Sequence, residues 1–317
     1  MLAGAAGAAG AAAAACASPP RPAPEALPLR ALAPGVYAVL GDTGRGSEGR
    51  PNAGFVVTAE GVVVIDALAS PAQGERLVRA IRGVTRAPIR WLVLTHHHPD
   101  HHFGAVALRR AGARVIAHPD AATGVDEQGR EAAESVWTQV VGAAEMRGFA
   151  YADRPDIPVT AADTLRAGAR TIVIAHPWRG PAHTAGDLIT WLPAERVLFA
   201  GDLLVEDGVT LVADGGSTGL LAALDTLARL PIAVLVPGHG AIPRDPQALI
   251  RATRDYIVRL REAMREAVAR RRPLARALDS LPPPDEGRPV SRHSRERRNA
   301  HRVYLEMEKV LMGLDAP

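Results

Sequence analysis

From about Leu32 the chain alternates short apolar runs with turn residues, and the spacing of the apolar positions switches between a period of two and one of three to four. β-Branched and aromatic residues concentrate in 35–40, 54–58 and 62–66, and Glu60-Gly61 separates the last two runs; these are predicted strands, the second pair a hairpin. Segment 71–83 places Leu77, Val78 and Ile81 on one face and charges on the other, a helical pattern. Segment 89–94 reads as a buried strand that runs straight into Thr95-His96-His97-His98-Pro99-Asp100-His101-His102. A helix over 103–111 ends at Gly112, and 114–117 is a strand. Residues 127–150 read as a longer, less regular helix over the sheet edge.

The pattern then recurs. Strands are predicted at 170–175, 188–192 and 197–200, a helix at 220–230, and a strand at 232–236 that ends in Pro237-Gly238-His239-Gly240. A long Arg/Glu helix over 246–272 and a last helix over 299–314 close the chain, with the polar, basic 285–298 read as a mobile segment. Strands followed by helices, twice over, predict an α/β fold of two sheets with helices outside, an αββα sandwich. The expected organisation is an N-terminal leader and linker over 1–28, one catalytic domain over 29–245 and a helical extension over 246–317.

Composition narrows this. Of 317 residues 47% are hydrophobic, and mean hydropathy is +0.01, which excludes a disordered chain and a membrane-embedded bundle. The basic residues are nearly all Arg, with Lys309 the only lysine, and 34 acidic residues are interspersed among 37 basic ones. Such a balance forms no nucleic-acid surface, so a small-molecule partner is expected. Cys16 is the only cysteine, which excludes an intramolecular disulfide and a thiolate metal ligand in the body of the protein. Residues 1–17 are uncharged and almost all Ala and Gly, and 18–28 are Pro-rich, the pattern of an export signal followed by a linker. Ala13-Ala14-Ala15-Cys16 resembles a lipoprotein cleavage box, which would tether the chain through Cys16, and Ala15-Cys16-Ala17 equally fits ordinary signal cleavage. No Lys or Arg precedes the stretch, which leaves a low-complexity N-terminus of a cytoplasmic protein as the other reading.

The histidine run carries the chemistry. On a strand, residues two apart project to one side, so His96 and His98 converge and His97 points away. Pro99 turns the chain, which places Asp100 and His101 at the start of a helix, displaced from the first pair. One short segment therefore presents two imidazoles to one cation and a carboxylate with an imidazole to a second. Three later sites offer polar groups beside strands: His183 in Pro181-Ala182-His183-Thr184-Ala185-Gly186-Asp187, Asp202 after 197–200, and His239 after 232–236. Active sites of layered α/β folds collect at strand ends. Asp66 and Thr184 are candidate acceptors for the ring N–H groups of ligand imidazoles. His97 and His102 are expected to pack or to support the ligands, and His118, His176, His293 and His301 to lie in loops or on the basic tail. Arg292, Arg295, Arg297 and Arg298 are expected to form a solvated face.

The ordered set His96-x-His98-x-Asp100-His101, His183, Asp202, His239, with the hairpin ending Val64-Ile65-Asp66, resembles the motif series of the metallo-β-lactamase superfamily from about Gly35 to Gly240. The resemblance implies that His96, His98 and His183 bind one metal, that Asp100, His101 and His239 bind the other, and that Asp202 bridges them. It also implies two Zn²⁺, with Fe or Mn as other candidates, a bridging hydroxide nucleophile, and Asp100 as the catalytic residue that orients it. The Gly201-Asp202 setting is similar to glyoxalase II rather than to the branch that carries a metal-binding cysteine there. Leu198–Leu204, the Val236–Gly240 turn and Asn299–Glu306 resemble metallohydrolases associated with quinoprotein relay systems. The expected activity is hydrolysis of a small ester, thioester or cyclic amide. Alternatives are a mononuclear-iron oxidoreductase of the persulfide-dioxygenase type, a broad-spectrum β-lactamase, and a catalytically idle binding protein.

Overall fold

In the computed structural model, which describes residues 27–41, 50–123, 127–281 and 290–314, twelve strands form two sheets. The N-terminal leader and Cys16 lie outside the described residues. The first sheet contains β1 (Leu29–Ala33), β2 (Val36–Val39), β3 (Ala53–Val57), β4 (Val62–Ile65), β5 (Ile89–Val93), β6 (Arg114–Ala117) and β7 (Ile157–Pro158), in sequential order. The second contains β8 (Ala162–Ala167), β9 (Arg170–Ala175), β10 (Ile189–Leu192), β11 (Val197–Phe199) and β12 (Val234–Val236), ordered β12-β11-β10-β9-β8.

Alternation along the strands sets the layers. Val62 and Val64 of β4 face the core under the helices, and Val63 and Ile65 face the other sheet. Ile172 and Ile174 of β9 likewise face inward between the sheets, and Val173 and Ala175 face outward. The helices that cover the first sheet include α1 (Pro71–Val84) and α3 (Ala105–Arg110), which bury Leu77, Ile81 and Leu108 against it. Ser70 caps α1 by accepting from the Gln73 N–H, and Pro71 stands in the first turn, where its missing N–H costs nothing. Between these helices in the chain lies α2 (Pro99–His102), after β5, and beyond β6 follow α4 (Pro119–Thr123) and α5 (Glu127–Val141). On the other side, α6 (Ser217–Leu227), α7 (Pro246–Ala269), α8 (Leu274–Asp279) and α9 (Val290–Leu311) share one core with β10 and β11. The expected αββα sandwich is therefore present, and the described helices α7, α8 and α9 contribute buried residues to the core over the second sheet. Between the sheets Gly54 is required: a Cβ there would lie 2.2 Å from the Phe199 ring of β11.

Several expectations are corrected. The segment read as one helix over 127–150 ends at Val141, because Gly142 takes φ 93° and turns the chain. Strand β8 was not expected, since its edge position leaves most of it exposed and polar. The part of 285–298 that is described, 290–298, is helical. Of the four arginines expected to form a solvated face, Arg298 is exposed, whereas Arg292 donates to the Asp207 carbonyl at 2.6 Å, Arg295 to the Val209 carbonyl at 3.0 Å and Arg297 to the Leu278 carbonyl at 3.3 Å. No helix among the described residues is long and apolar enough to cross a membrane.

Candidate metal centre

Strands β4, β5 and β6 run parallel, as do β11 and β12, so the segments that follow them open on one rim of the sandwich. Asp66 follows β4, the histidine run follows β5, Asp202 sits in a 3₁₀ turn after β11, and His239 follows β12. His183 enters from the loop between β9 and β10. All seven sequence-predicted residues meet there. One atom each from His96, His98, His183 and Asp202 lie within 4.8 Å of one another, and the same holds for Asp100, His101 and His239. Asp202 lies between the groups: Oδ1 is 3.3 Å from His101 Nε2, and Oδ2 is 3.7 Å from His183 Nε2 and 3.6 Å from His239 Nε2.

The outer partners fix which ring nitrogen faces inward. Asp66, buried and held at φ 58°, accepts from the Thr95 N–H, the Thr95 hydroxyl and His101 Nδ1, each at 2.8 Å. With its proton committed to Asp66, the Thr95 oxygen accepts from His96 Nδ1 at 3.0 Å. His183 Nδ1 donates to the Leu211 carbonyl at 2.7 Å, and His98 Nε2 donates to Asp214 at 3.0 Å. Each anchored ring therefore turns a lone pair to the centre. His98 Nδ1 and His183 Nε2 face each other at 2.9 Å, and His101 Nε2 and His239 Nε2 at 3.3 Å. Buried His96 Nε2 and Asp202 Oδ1 have no hydrogen-bond partner. Converging lone pairs and carboxylates of this kind fit divalent cations with nitrogen and oxygen preference.

Electrostatics follow from this crowding. Burial and the neighbouring imidazoles His101, His183, His98 and His97 hold His96 well below its ordinary pKa. Burial brings His183 down to about 4, assisted by His98. Burial opposes the charged form of His101, yet Asp100, Asp202 and Asp66 outweigh it and raise its pKa well above the ordinary value. Burial likewise opposes ionisation of Asp202 and Asp100, but the surrounding imidazoles win, and both are lowered.

Some expectations fail locally. Thr184 serves no imidazole; its N–H and hydroxyl bind Asp187, with the hydroxyl bond at 2.8 Å, and fix the 184–187 turn. His102, expected to pack or support rather than to ligate, does turn away from the centre, with Nδ1 bonding the His98 carbonyl at 3.0 Å, and His176 lies in a loop and packs against Trp178 and His118. Sequence reasoning missed Thr95, Asp214, the Leu211 carbonyl and Asn52. Asn52 is buried, and its side-chain amide donates to the Pro237 and Gly240 carbonyls at 2.8 Å each, bracketing His239. Thr95, directly before the histidine run, was legible; Asp214 and Asn52 look like ordinary turn residues until the fold is closed. A cleft of about 410 Å³ opens beside the centre, lined by His97, His98, Phe103, Arg130, Tyr151 and Asp214 among others.

The family model of the metallo-beta-lactamase superfamily matches residues 46–239. The metallo-beta-lactamase type 2 of Bacteroides fragilis is 24% identical over 194 residues, 60% of this chain and 68% of that protein. The hydroxyacylglutathione hydrolase of Albidiferax ferrireducens is 33% identical over 146 residues, so that the match spans 46% of this chain and 46% of that protein. Among solved structures, a metallo-beta-lactamase family protein from Thermus thermophilus superposes with a TM-score of 0.65 at 22% identity, covering 89% of this chain and 95% of that one. An inverting sec-alkylsulfatase from a Pseudomonas species does so with a TM-score of 0.66 at 14% identity, over 92% of this chain and 51% of that one. At these identities the structural likenesses speak for the fold.

Proposed function

Since the chain belongs to the metallo-beta-lactamase superfamily and is a metal-dependent hydrolase, we propose that it holds two zinc ions and hydrolyses a small ester, thioester or cyclic amide. The observation that carries the binuclear reading is Asp202, whose carboxylate lies against both imidazole groups: Oδ1 beside His101 and Oδ2 beside His239 of one group, and Oδ2 beside His183 of the other. His96, His98 and His183 would hold one ion, Asp100, His101 and His239 the other, and Asp202 both. When bound, the pair supplies Lewis acidity that polarises the scissile group and acidifies an attacking water towards neutral pH.

The chain's own groups supply the rest. Asp100 is kept ionised by His101 and His239 despite its burial, and its Oδ2 lies 3.1 Å from His239 Nε2. We assign it to orient the attacking water and receive its proton. Asp66 and Thr95 hold His101 and His96 in single tautomers, so the ligand geometry is in place before substrate arrives. A cleft of about 410 Å³ is the size of small-molecule sites. Its wall is mixed: Phe103 and Tyr151 offer apolar surface, and the Arg130 guanidinium lies 4.5 Å above the Tyr151 ring and pairs with Asp153.

The test is metal quantification on the purified chain together with a panel of ester, thioester, lactone, β-lactam and phosphodiester substrates. About two zinc ions per chain and turnover of an acyl substrate are expected, with both lost in Asp202→Ala. One iron per chain with oxidation of a persulfide would overturn the hydrolytic assignment, and full activity in Asp202→Ala would overturn the bridge.

A further inference from the structure

Helix α9 bonds to one loop at regular intervals. Arg292, Arg295, Asn299, Arg302 and Glu306 recur every three or four residues, a stripe along one face over about 21 Å of helix. Their partners run in order along 207–217: Asp207, Val209, Thr210 and Val212, Gly215, and Ser217. An adjoining face buries Ala300, Val303, Tyr304 and Met307 in the core, so the stripe is fixed in orientation by packing.

The clamped loop is also the one that serves the metal centre. It supplies the Leu211 carbonyl to His183 and the Asp214 carboxylate to His98. Asn299, fully buried, holds the segment on both sides of Leu211: its Nδ2 donates to the Thr210 carbonyl at 2.7 Å, and its Oδ1 accepts from the Val212 N–H at 2.8 Å. One side-chain amide thus fixes the peptide group that carries the Leu211 carbonyl, through its Val212 N–H, and the peptide group before it, and that carbonyl sets the tautomer of His183. No bond from the described residues of α9 reaches the Asp100, His101 and His239 group, whose supports are Asp66 and Asn52.

We propose that Asn299 is a positioning residue for the His96, His98, His183 and Asp202 site, and that α9 sets the affinity of this one metal position of the two. The inference rests on the binuclear reading above. Releasing Asn299 would let the Leu211 carbonyl drift, and His183 would then exchange between tautomers, one of which points an N–H at the ion. Loss of such outer support costs about 10- to 100-fold in metal affinity.

The experiment measures both zinc-binding steps of the full chain by competition with a chromophoric chelator, beside the absorption spectrum of the cobalt(II)-loaded protein and thermal unfolding. His183→Ala identifies which step belongs to the clamped site. Asn299→Leu is expected to weaken that step about 10- to 100-fold, leave the other unchanged and alter the cobalt spectrum. Asn299→Asp keeps the acceptor for Val212 but sets an oxygen against the Thr210 carbonyl in place of the donor, so a loss confined to the same step is expected; it carries the test where the leucine variant does not fold. Tyr304→Phe removes a different α9 bond, from its hydroxyl to the Arg272 carbonyl at 2.7 Å, and should lower thermal stability without moving either zinc step. Folded Asn299 variants that bind both ions as the wild type does, or a Tyr304→Phe variant with the same loss, overturn the inference alone. A wild-type chain with a single site insensitive to His183→Ala overturns the binuclear reading and the inference with it.

Discussion

Asp66 is the most informative residue to perturb, because its carboxylate orients two of the imidazoles without reaching the metal positions itself. Asp66→Asn keeps the shape and suits the left-handed backbone at φ 58°, which asparagine tolerates as well as aspartate. The amide oxygen can still accept from the Thr95 N–H, the bond now made by Oδ1 at 2.8 Å. The amide nitrogen then replaces Oδ2, which at present accepts from both the Thr95 hydroxyl and His101 Nδ1 at 2.8 Å. Two donors meeting a third donor is untenable, so His101 must change tautomer, place its lone pair on Nδ1 and turn Nε2–H towards Asp202 and His239.

A charge-assisted hydrogen bond contributes about 1.5–3 kcal/mol. Because the inverted tautomer opposes the cation, that amount should appear in metal affinity, as a loss of roughly 10- to 150-fold. The range overlaps what outer-sphere partners of metal-bound histidine ordinarily contribute, about 10- to 100-fold. Competition with a chromophoric chelator measures the affinity, and circular dichroism checks that the fold is kept. A folded Asp66→Asn protein with wild-type affinity for both ions would refute the reasoning, since it would show that the His101 tautomer is fixed by something other than Asp66.

Three further outcomes are expected. Gly238→Ala places a Cβ 1.8 Å from Asp202 Oδ1 and 2.8 Å from the Gly201 carbonyl carbon, so the carboxylate must move, and metal analysis should find both ions depleted; retention of two tightly bound ions would contradict the bridging role. Burial pushes Asp187 up to about 7, so the folded chain holds a proton there that the unfolded chain releases near its ordinary carboxylate pKa. The associated stability is full below about pH 4 and is lost as pH rises through about 7, at up to ~1.4 kcal/mol per pH unit; urea melts of the metal-free protein should record this slope, and Asp187→Asn should flatten it. Chelation should lower the melting temperature, because ions that bind only the native chain stabilise it by about 2.7 kcal/mol per site at a hundredfold excess over Kd; a melting temperature indifferent to chelator would count against occupied sites.

What the sequence revealed and what it concealed divide along a physical line. Strands β4 and β11 were legible because two-sided burial demands continuous apolar runs, and β5 and β9 because most of their positions are apolar, whereas β1 and β8 sit at sheet edges where exposure removes the pattern. The inward-facing ligands were legible because imidazoles and carboxylates beside buried strands would be costly without a cation. Their supports were not, since a hydrogen-bond acceptor can be any carbonyl or any turn residue, as Leu211, Asp214 and Asn52 illustrate. The basic stretch of α9 was misread for the same reason. Charged side chains at helical spacing suggest a solvated surface, and only the closed fold reveals that Arg292, Arg295 and Arg302 satisfy the carbonyls of a loop with little regular structure of its own. The ligands are therefore written in a local motif, but their tautomers depend on residues up to 116 positions away, as in the pair His98 and Asp214. A substitution in the last helix should accordingly change the chemistry of the centre while every ligand of the motif remains in place.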